Sequence, residues 1–319
     1  MKADVLPTAV AAKPKKPSLR AQLINRYLRL RMKTKPLHLI GADELRFLFE
    51  QQRMPIGPKA VAVELVELGP VSGEWNRPKN ARATILYLHG GAYVFGSPRL
   101  YRPFTSTLAV AGEADVFSLR YRLAPESRCP AAIEDAVKAY EWLLALGISS
   151  REMVIGGDSA GGGLAIATLQ ALRAKGAPMP AGAFVFSPWT DLAATGGSIV
   201  KNARSDCMFQ EIGIREGAER YRGDLDPRDP RVSPLYGDFR GLPPLLVFAS
   251  EAEMLYDDSA RLIEKARAAG VAVHFETRAG LCHVWPMFSP LFPEAKEAVA
   301  TVGEFVRTAT AAGAERSAA

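Results

Sequence analysis

Six short apolar runs, at 83–88, 115–120, 153–155, 183–186, 245–249 and 271–275, alternate along the chain with longer stretches of helical periodicity at about 103–111, 131–146, 160–175, 257–269 and 293–308. Compact apolar runs bounded by turn residues fit strands buried on both faces, and a 3.6-residue recurrence fits helices with one buried stripe. Their regular alternation predicts a mainly parallel sheet covered by helices on both faces. Ahead of it, Val61, Val63 and Leu65 alternate with more polar neighbours, and a second short strand from Val71 to Trp75 completes an antiparallel hairpin. In such folds ligand chemistry sits at the carboxyl ends of the strands.

Two regions stand outside this rhythm. A first segment rich in Ala, Pro and Lys, read as flexible, leads into N-terminal helices that end near Gln52. Ser18 caps a helix in which Leu19, Leu23, Tyr27 and Leu30 share one face, with the arginines mostly elsewhere. That helix is expected to lie over the body with its charges in solvent; weak peripheral contact with a membrane surface is the second reading. The interval from Thr190 to Leu242 is polar, carries RGDLDPRDP at 222–230 and holds one short helix, Ile212 to Tyr221. The expected organisation is therefore cap helices over 1–52 and a catalytic domain over 53–319, with 190–240 an excursion that contributes to the lid. The terminal TATAAGAERSAA is expected to fray.

Composition narrows the function classes. At 319 residues and 48% hydrophobic content the chain can build one large core. Its longest apolar runs fall far short of the ~20 residues that cross a bilayer, so no stable membrane insertion is expected. MKADVLPTAVAAKPKK lacks the apolar core of a secretory signal, which makes the cytoplasm the expected location. Cys129, Cys207 and Cys282 are scattered and suggest neither a disulfide framework nor a metal site. The formal charge of +6 is concentrated: residues 1–40 hold ten Lys or Arg against Asp4, a balance of +9, which leaves −3 for the remainder. A body without a basic surface is not expected to bind nucleic acid.

The densest local signal is IGGDSAGGG at 155–163. A phosphate loop fails on spacing, because Gly162 is followed by Gly163 and Leu164 where Lys and Ser or Thr are required, and G-x-G-x-x-G has no match. Gly157-Asp158-Ser159-Ala160-Gly161 does fit G-x-S-x-G, between an apolar strand and the helix-prone LAIATLQALRA. Such an elbow forces the serine into strained dihedrals and projects its hydroxyl into a cleft, which makes Ser159 the candidate nucleophile. His89, Gly90, Gly91 and Ala92 end the preceding strand. Their backbone N–H groups, with that of Ala160, would surround an oxyanion, and His89 would anchor the loop. Only four histidines are present. His38 lies in the N-terminal segment, His89 in the loop and His274 within a strand, which leaves His283 as the base. Cys282 beside it lacks an elbow and is a weak rival nucleophile. Among Glu251, Glu253, Asp257 and Asp258, the last two suit a helix start, so Glu253 is the first choice of acid and Glu251 the second.

With those residues in hand, LYLHGGAYVFGS, YRLAPESRCPAAIEDAVKAYEWL, GGDSAGGGLA, FSPWTDL, RVSPLYGDFRGLPPLLV and GLCHVWPMF, spread from Leu86 to Phe288, resemble blocks of the hormone-sensitive-lipase family of α/β-hydrolases, which includes many bacterial carboxylesterases. The resemblance implies an α/β-hydrolase fold with a helical cap, Ser159 as nucleophile, His283 as base, and Gly90, Gly91, Ala92 and Ala160 around the oxyanion hole. It puts Glu253 of EMLYDD on the family's acid, and Ala92 where many members have a further glycine; alanine suits that place if its dihedrals are ordinary. The implied reaction is hydrolysis of short- to medium-chain acyl esters through an acyl-enzyme, without metal or cofactor. A lactone or an acetylated small metabolite would use the same machinery. A non-catalytic ligand-binding module on the same fold is the alternative of a different class. The expected partner is a small-molecule ester, with a homodimer left open.

Overall fold

The computed structural model describes residues 16–51, 57–68 and 71–318. The expected flexible first segment, with Lys2, Lys13 and Lys15, lies outside them, as does the expected boundary at Gln52. Strands β1 (Ala62–Leu68) and β2 (Val71–Arg77) form the antiparallel hairpin. Then follow β3 (Ala83–Leu88), β4 (Ala114–Leu119), β5 (Met153–Asp158), β6 (Gly182–Phe186), β7 (Leu245–Ser250) and β8 (Val273–Arg278). Together they make one eight-stranded sheet in the order β1-β2-β4-β3-β5-β6-β7-β8, with β2 antiparallel to β4 and every later pairing parallel.

The intervening helices are α1 (Leu19–Leu28), α2 (Ala42–Glu50), α3 (Pro98–Gly112), α4 (Ala131–Ala145), α5 (Ser159–Ala174), the short α6 (Ser198–Lys201), α7 (Glu211–Arg222), α8 (Tyr256–Ala268) and α9 (Pro293–Ala318). Period-two alternation divides the core between the two sides of the sheet. Leu86 and Leu88 of β3 join a cluster with Leu143 of α4, Leu164 of α5 and Leu262 of α8, while Ile85 and Tyr87 join Phe104 and Leu108 of α3 and Val302 and Phe305 of α9. Each fully buried side chain of this kind contributes roughly 1.5–3 kcal/mol, so the sheet and its two helical layers form a rigid platform for the loops at its edge. No helix among the described residues is long and apolar enough to cross a membrane.

Three expectations need correction. Helix α3 starts at Pro98, not near 103: Ser97 Oγ accepts from Leu100 N–H at 3.1 Å, Pro98 lies in the first turn where its missing N–H has no role, and Pro103 is carried inside. Helix α9 continues to Ala318, so the described part of the tail expected to fray is helical, in keeping with its Ala, Glu and Arg content. Helix α1 is capped by Ser18 Oγ as expected, yet its faces are reversed. Leu19, Leu23, Tyr27 and Leu30 are 58–78% exposed, while Ala21 and Leu28 are buried and Ile24 packs beside them. Long-range polar contacts set this orientation. Asn25 Nδ2 donates to Gly280 O at 2.7 Å, Ser18 Oγ to Glu294 at 2.9 Å, and Arg29 Nη2 to the carbonyls of Arg204 and Ser205 at 3.1 and 3.0 Å.

Candidate active site

Strand β5 runs into α5 through a turn whose glycines permit close backbone approach. A Cβ on Gly161 would lie 2.0 Å from Leu88 O, so α5 passes over the end of β3 only without one. Ser159, the first residue of α5, is held at φ 51°, the left-handed strain the elbow predicts. Its carbonyl accepts from Trp189 N–H at 2.9 Å, tying the turn to the segment after β6. The side chain borders a cavity of about 260 Å³ that is also lined by Gly91, Ala92, Asp158 and His283. Leu28, Met32, Leu45 and Phe49 from the N-terminal region, and Met208, Phe209 and Ile214 from the excursion, make much of its wall apolar.

His283 follows β8 in a loop fixed by two hydrogen bonds, Ser250 Oγ to Leu281 O at 2.6 Å and Val284 N–H to Ser187 Oγ at 3.1 Å. Its Nδ1 lies 2.5 Å from Glu253 Oε2, with both side chains almost fully buried. Glu253 Oε1 accepts from Ser250 N–H at 2.8 Å, and the carboxylate is thereby aimed from both oxygens. Since a carboxylate only accepts, Nδ1 carries the hydrogen and Nε2 is the free lone pair. His283 Nε2 is buried without a hydrogen bond among the described residues, on the cavity it shares with Ser159. Glu251 is exposed and makes no hydrogen bond or ion pair with His283 among the described residues, where Glu253 takes that place. Asp257 and Asp258 serve the excursion rather than capping their own helix: Asp257 accepts from Ser198 N–H at 2.9 Å, and Asp258 from Thr190 and Asp191 N–H, each at 2.8 Å.

The loop after β3 turns sharply. Gly91 has φ 114°, and a Cβ there would lie 2.0 Å from Phe95 O. Ala92 adopts φ 54°, so its dihedrals are not the ordinary ones expected of an alanine, and it holds a conformation that glycine takes without strain. The N–H groups of Gly91 and Ala92 have no acceptor among the described residues, and that of Ala160, in the first turn of α5, has no intrahelical one. Gly90 differs. Its N–H donates to Asp158 Oδ1 at 3.0 Å, which removes it from the expected set of oxyanion donors. His89 anchors the loop as expected: Nδ1 lies 2.8 Å from Gly90 O, its ring stacks on Tyr121, and Tyr121 Oη donates to His89 O at 2.7 Å. Burial lowers its pKa to about 4, so it is neutral at pH 7.

Several positioning groups carry no local signal in the sequence. Asp158, 1% exposed, accepts from Tyr87 Oη at 2.8 Å and Tyr101 Oη at 3.0 Å besides Gly90, joining the nucleophile turn to the oxyanion loop. Asn202 and Asp206 hold the loop of Glu253: Asn202 Nδ2 donates to Glu251 O and Glu253 O at 2.9 and 2.8 Å, and Asp206 Oδ2 accepts from Met254 N–H at 2.8 Å. His38, in the N-terminal segment, also lines the cavity. Burial pushes the Cys282 thiol well up, which keeps it protonated and a poor nucleophile at neutral pH.

Burial raises the Asp158 carboxyl to about 6, against the pull of the three donors. An unfolded aspartate titrates near 3.9, so the native chain holds this proton more tightly; the resulting stabilisation is full below about pH 4 and is lost as pH rises through about 6. Asp158→Asn abolishes the titration while keeping the shape. Between pH 4 and pH 7, urea unfolding should show the unsubstituted chain losing roughly 2 kcal/mol relative to the variant. Parallel stability profiles for the two would remove the charge from Asp158.

Comparison with known proteins places this geometry among relatives. A family described as alpha/beta hydrolase fold matches residues 85–287. An acetyl-hydrolase of Streptomyces hygroscopicus is 45% identical over 251 residues, covering 78% of this chain and 84% of that protein. An esterase of Acinetobacter venetianus is 37% identical over 265 residues, covering 82% and 86%. A crystal structure of an esterase from the bacterial hormone-sensitive lipase family superimposes with a TM-score of 0.88 at 41% identity, covering 93% of this chain and all of that one.

Proposed function

This chain belongs to the hormone-sensitive lipase family of α/β-hydrolases and is a carboxylic ester hydrolase; from that premise we propose that Ser159, His283 and Glu253 form its catalytic triad and that it acts on short- to medium-chain acyl esters. Ser159 Oγ attacks the ester carbonyl carbon while His283 Nε2 takes its proton, and Glu253 steadies the imidazolium through Nδ1–H. The tetrahedral oxyanion is held by the N–H groups of Gly91, Ala92 and Ala160, each such donor contributing about 3 kcal/mol at the transition state. His283 returns the proton to the leaving alcohol. Water then attacks the acyl-enzyme with His283 as base, and the acid leaves.

The observation that carries this reading is the meeting, at one cavity, of a strained serine, an imidazole lone pair backed by a buried carboxylate, and unengaged backbone donors. The acyl range rests on the size and apolar walls of the 260 Å³ cavity, which fit a small hydrocarbon chain better than a long lipid. We read the N-terminal helices and the 190–240 excursion as a cap, because both supply those walls. The test is covalent. A dialkyl phosphoryl reagent such as paraoxon should add one phosphoryl group per chain, mapped to Ser159 by tandem mass spectrometry, and hydrolysis of p-nitrophenyl butyrate should fall in step with labelling. Full activity in a stoichiometrically labelled Ser159 enzyme, or inactivation with the label elsewhere, would reassign the nucleophile.

A further inference from the structure

We propose that the outward stripe of α1 is a docking face for an anionic lipid bilayer. Leu19, Leu23 and Tyr27 of α1, with Leu30 just past its end, are the exposed large apolar residues of a segment whose other side already has its partners, Ala21, Ile24 and Leu28, so the stripe is not a core face left unfilled. Within α1, at 3.6 residues per turn, Leu19, Leu23 and Tyr27 occupy an arc of about 80°, with Arg26 on one margin and Arg20 on the other, and Leu30 and Arg31 follow in the wider helical turn Arg29–Lys33. Arg31 sits over the Tyr27 ring at 5.9 Å from its centroid. Lys16, Arg20, Arg26, Arg31 and Lys35 are all exposed, and no carboxylate side chain occurs between Val5 and Ala42.

An apolar stripe edged by cations is the arrangement of an interfacial helix: hydrocarbon enters the headgroup boundary while the cations meet lipid phosphates. Charge complementarity decides between occupants. A second copy meeting this stripe by two-fold symmetry would bring the same arginine margins together, an arrangement that anionic headgroups relieve. Leu28 and Met32, on the inward side of the same stretch, line the cavity, so the docked helix would set one pocket wall against the lipid surface.

The test uses the full chain and large unilamellar vesicles. The protein should co-sediment at low salt with vesicles of equal phosphatidylglycerol and phosphatidylcholine, and about tenfold less with phosphatidylcholine alone. The double substitution Leu23→Ser and Leu30→Ser, which leaves charge unchanged, should weaken binding about tenfold, and Arg20→Gln with Arg26→Gln should weaken it and flatten its salt dependence. Neither pair borders the cavity, so p-nitrophenyl butyrate hydrolysis and thermal midpoint serve as controls of folding, and binding is read whether or not the esterase assignment stands. Failure of the unsubstituted chain to bind, or equal binding by the serine variant, would overturn the proposal. So would a dimer in sedimentation velocity that the serine variant dissociates, which would give the stripe to a second copy.

Discussion

Ser159→Ala is expected to lower kcat for p-nitrophenyl butyrate by roughly 10⁶-fold, the scale set by removing the nucleophile of a serine triad, while leaving a residual 10³–10⁴-fold advantage over water from the oxyanion donors and binding. The fold should not register the change. The hydroxyl makes no hydrogen bond among the described residues, and alanine meets the same left-handed strain at φ 51° that serine already bears. Thermal unfolding should therefore be nearly superimposable, and KM should move little, because substrate contacts come from the apolar walls. A variant that kept more than about one per cent of kcat would place the attacking group elsewhere. Cys282 would not replace it, since it is absent from the cavity lining and burial disfavours its thiolate.

What the sequence made legible follows from how local each cause is. The hairpin could be read because alternation is a property of neighbouring residues, and the parallel strands because apolar runs recur between helical stretches; both appear with boundaries displaced by a few residues. The elbow could be read because its glycines answer contacts that any strand-to-helix turn of this shape must make, Gly161 against Leu88 O among them. His283 emerged from scarcity, with only four histidines to weigh.

Asp158 was hidden for the opposite reason: its donors Tyr101, Gly90 and Tyr87 stand 57, 68 and 71 residues away. The same contact separates Gly90 from Gly91 and Ala92, a distinction that three consecutive small residues cannot reveal. Asn202 and Asp206 lay in a polar excursion where nothing local marked them. Helix α1 carries two apolar arcs, and periodicity detects amphipathicity without saying which arc a distant groove accepts. Here Asn25 with Gly280 and Ser18 with Glu294 made that choice.

Glu253 and Glu251 stand two residues apart, and their environments predict very different losses. Glu251→Ala removes an exposed side chain and should leave kcat/KM within about twofold. Glu253→Ala removes the carboxylate 2.5 Å from His283 Nδ1 and should lower kcat by about 10⁴-fold. Part of that loss could be structural, because Glu253 Oε1 also accepts from Ser250 N–H in a buried setting. Glu253→Gln separates the two contributions. Its amide oxygen can keep the Ser250 bond, while its NH₂ group facing Nδ1 donates and drives the hydrogen of His283 to Nε2, where the imidazole cannot accept the serine proton. The glutamine variant should thus unfold near the native midpoint yet lose activity on the same scale as alanine. If glutamine restored most of the activity, the carboxylate would be a scaffold for the loop rather than the partner that sets the tautomer, and if Glu251→Ala proved the more damaging change the acid would have to be sought there.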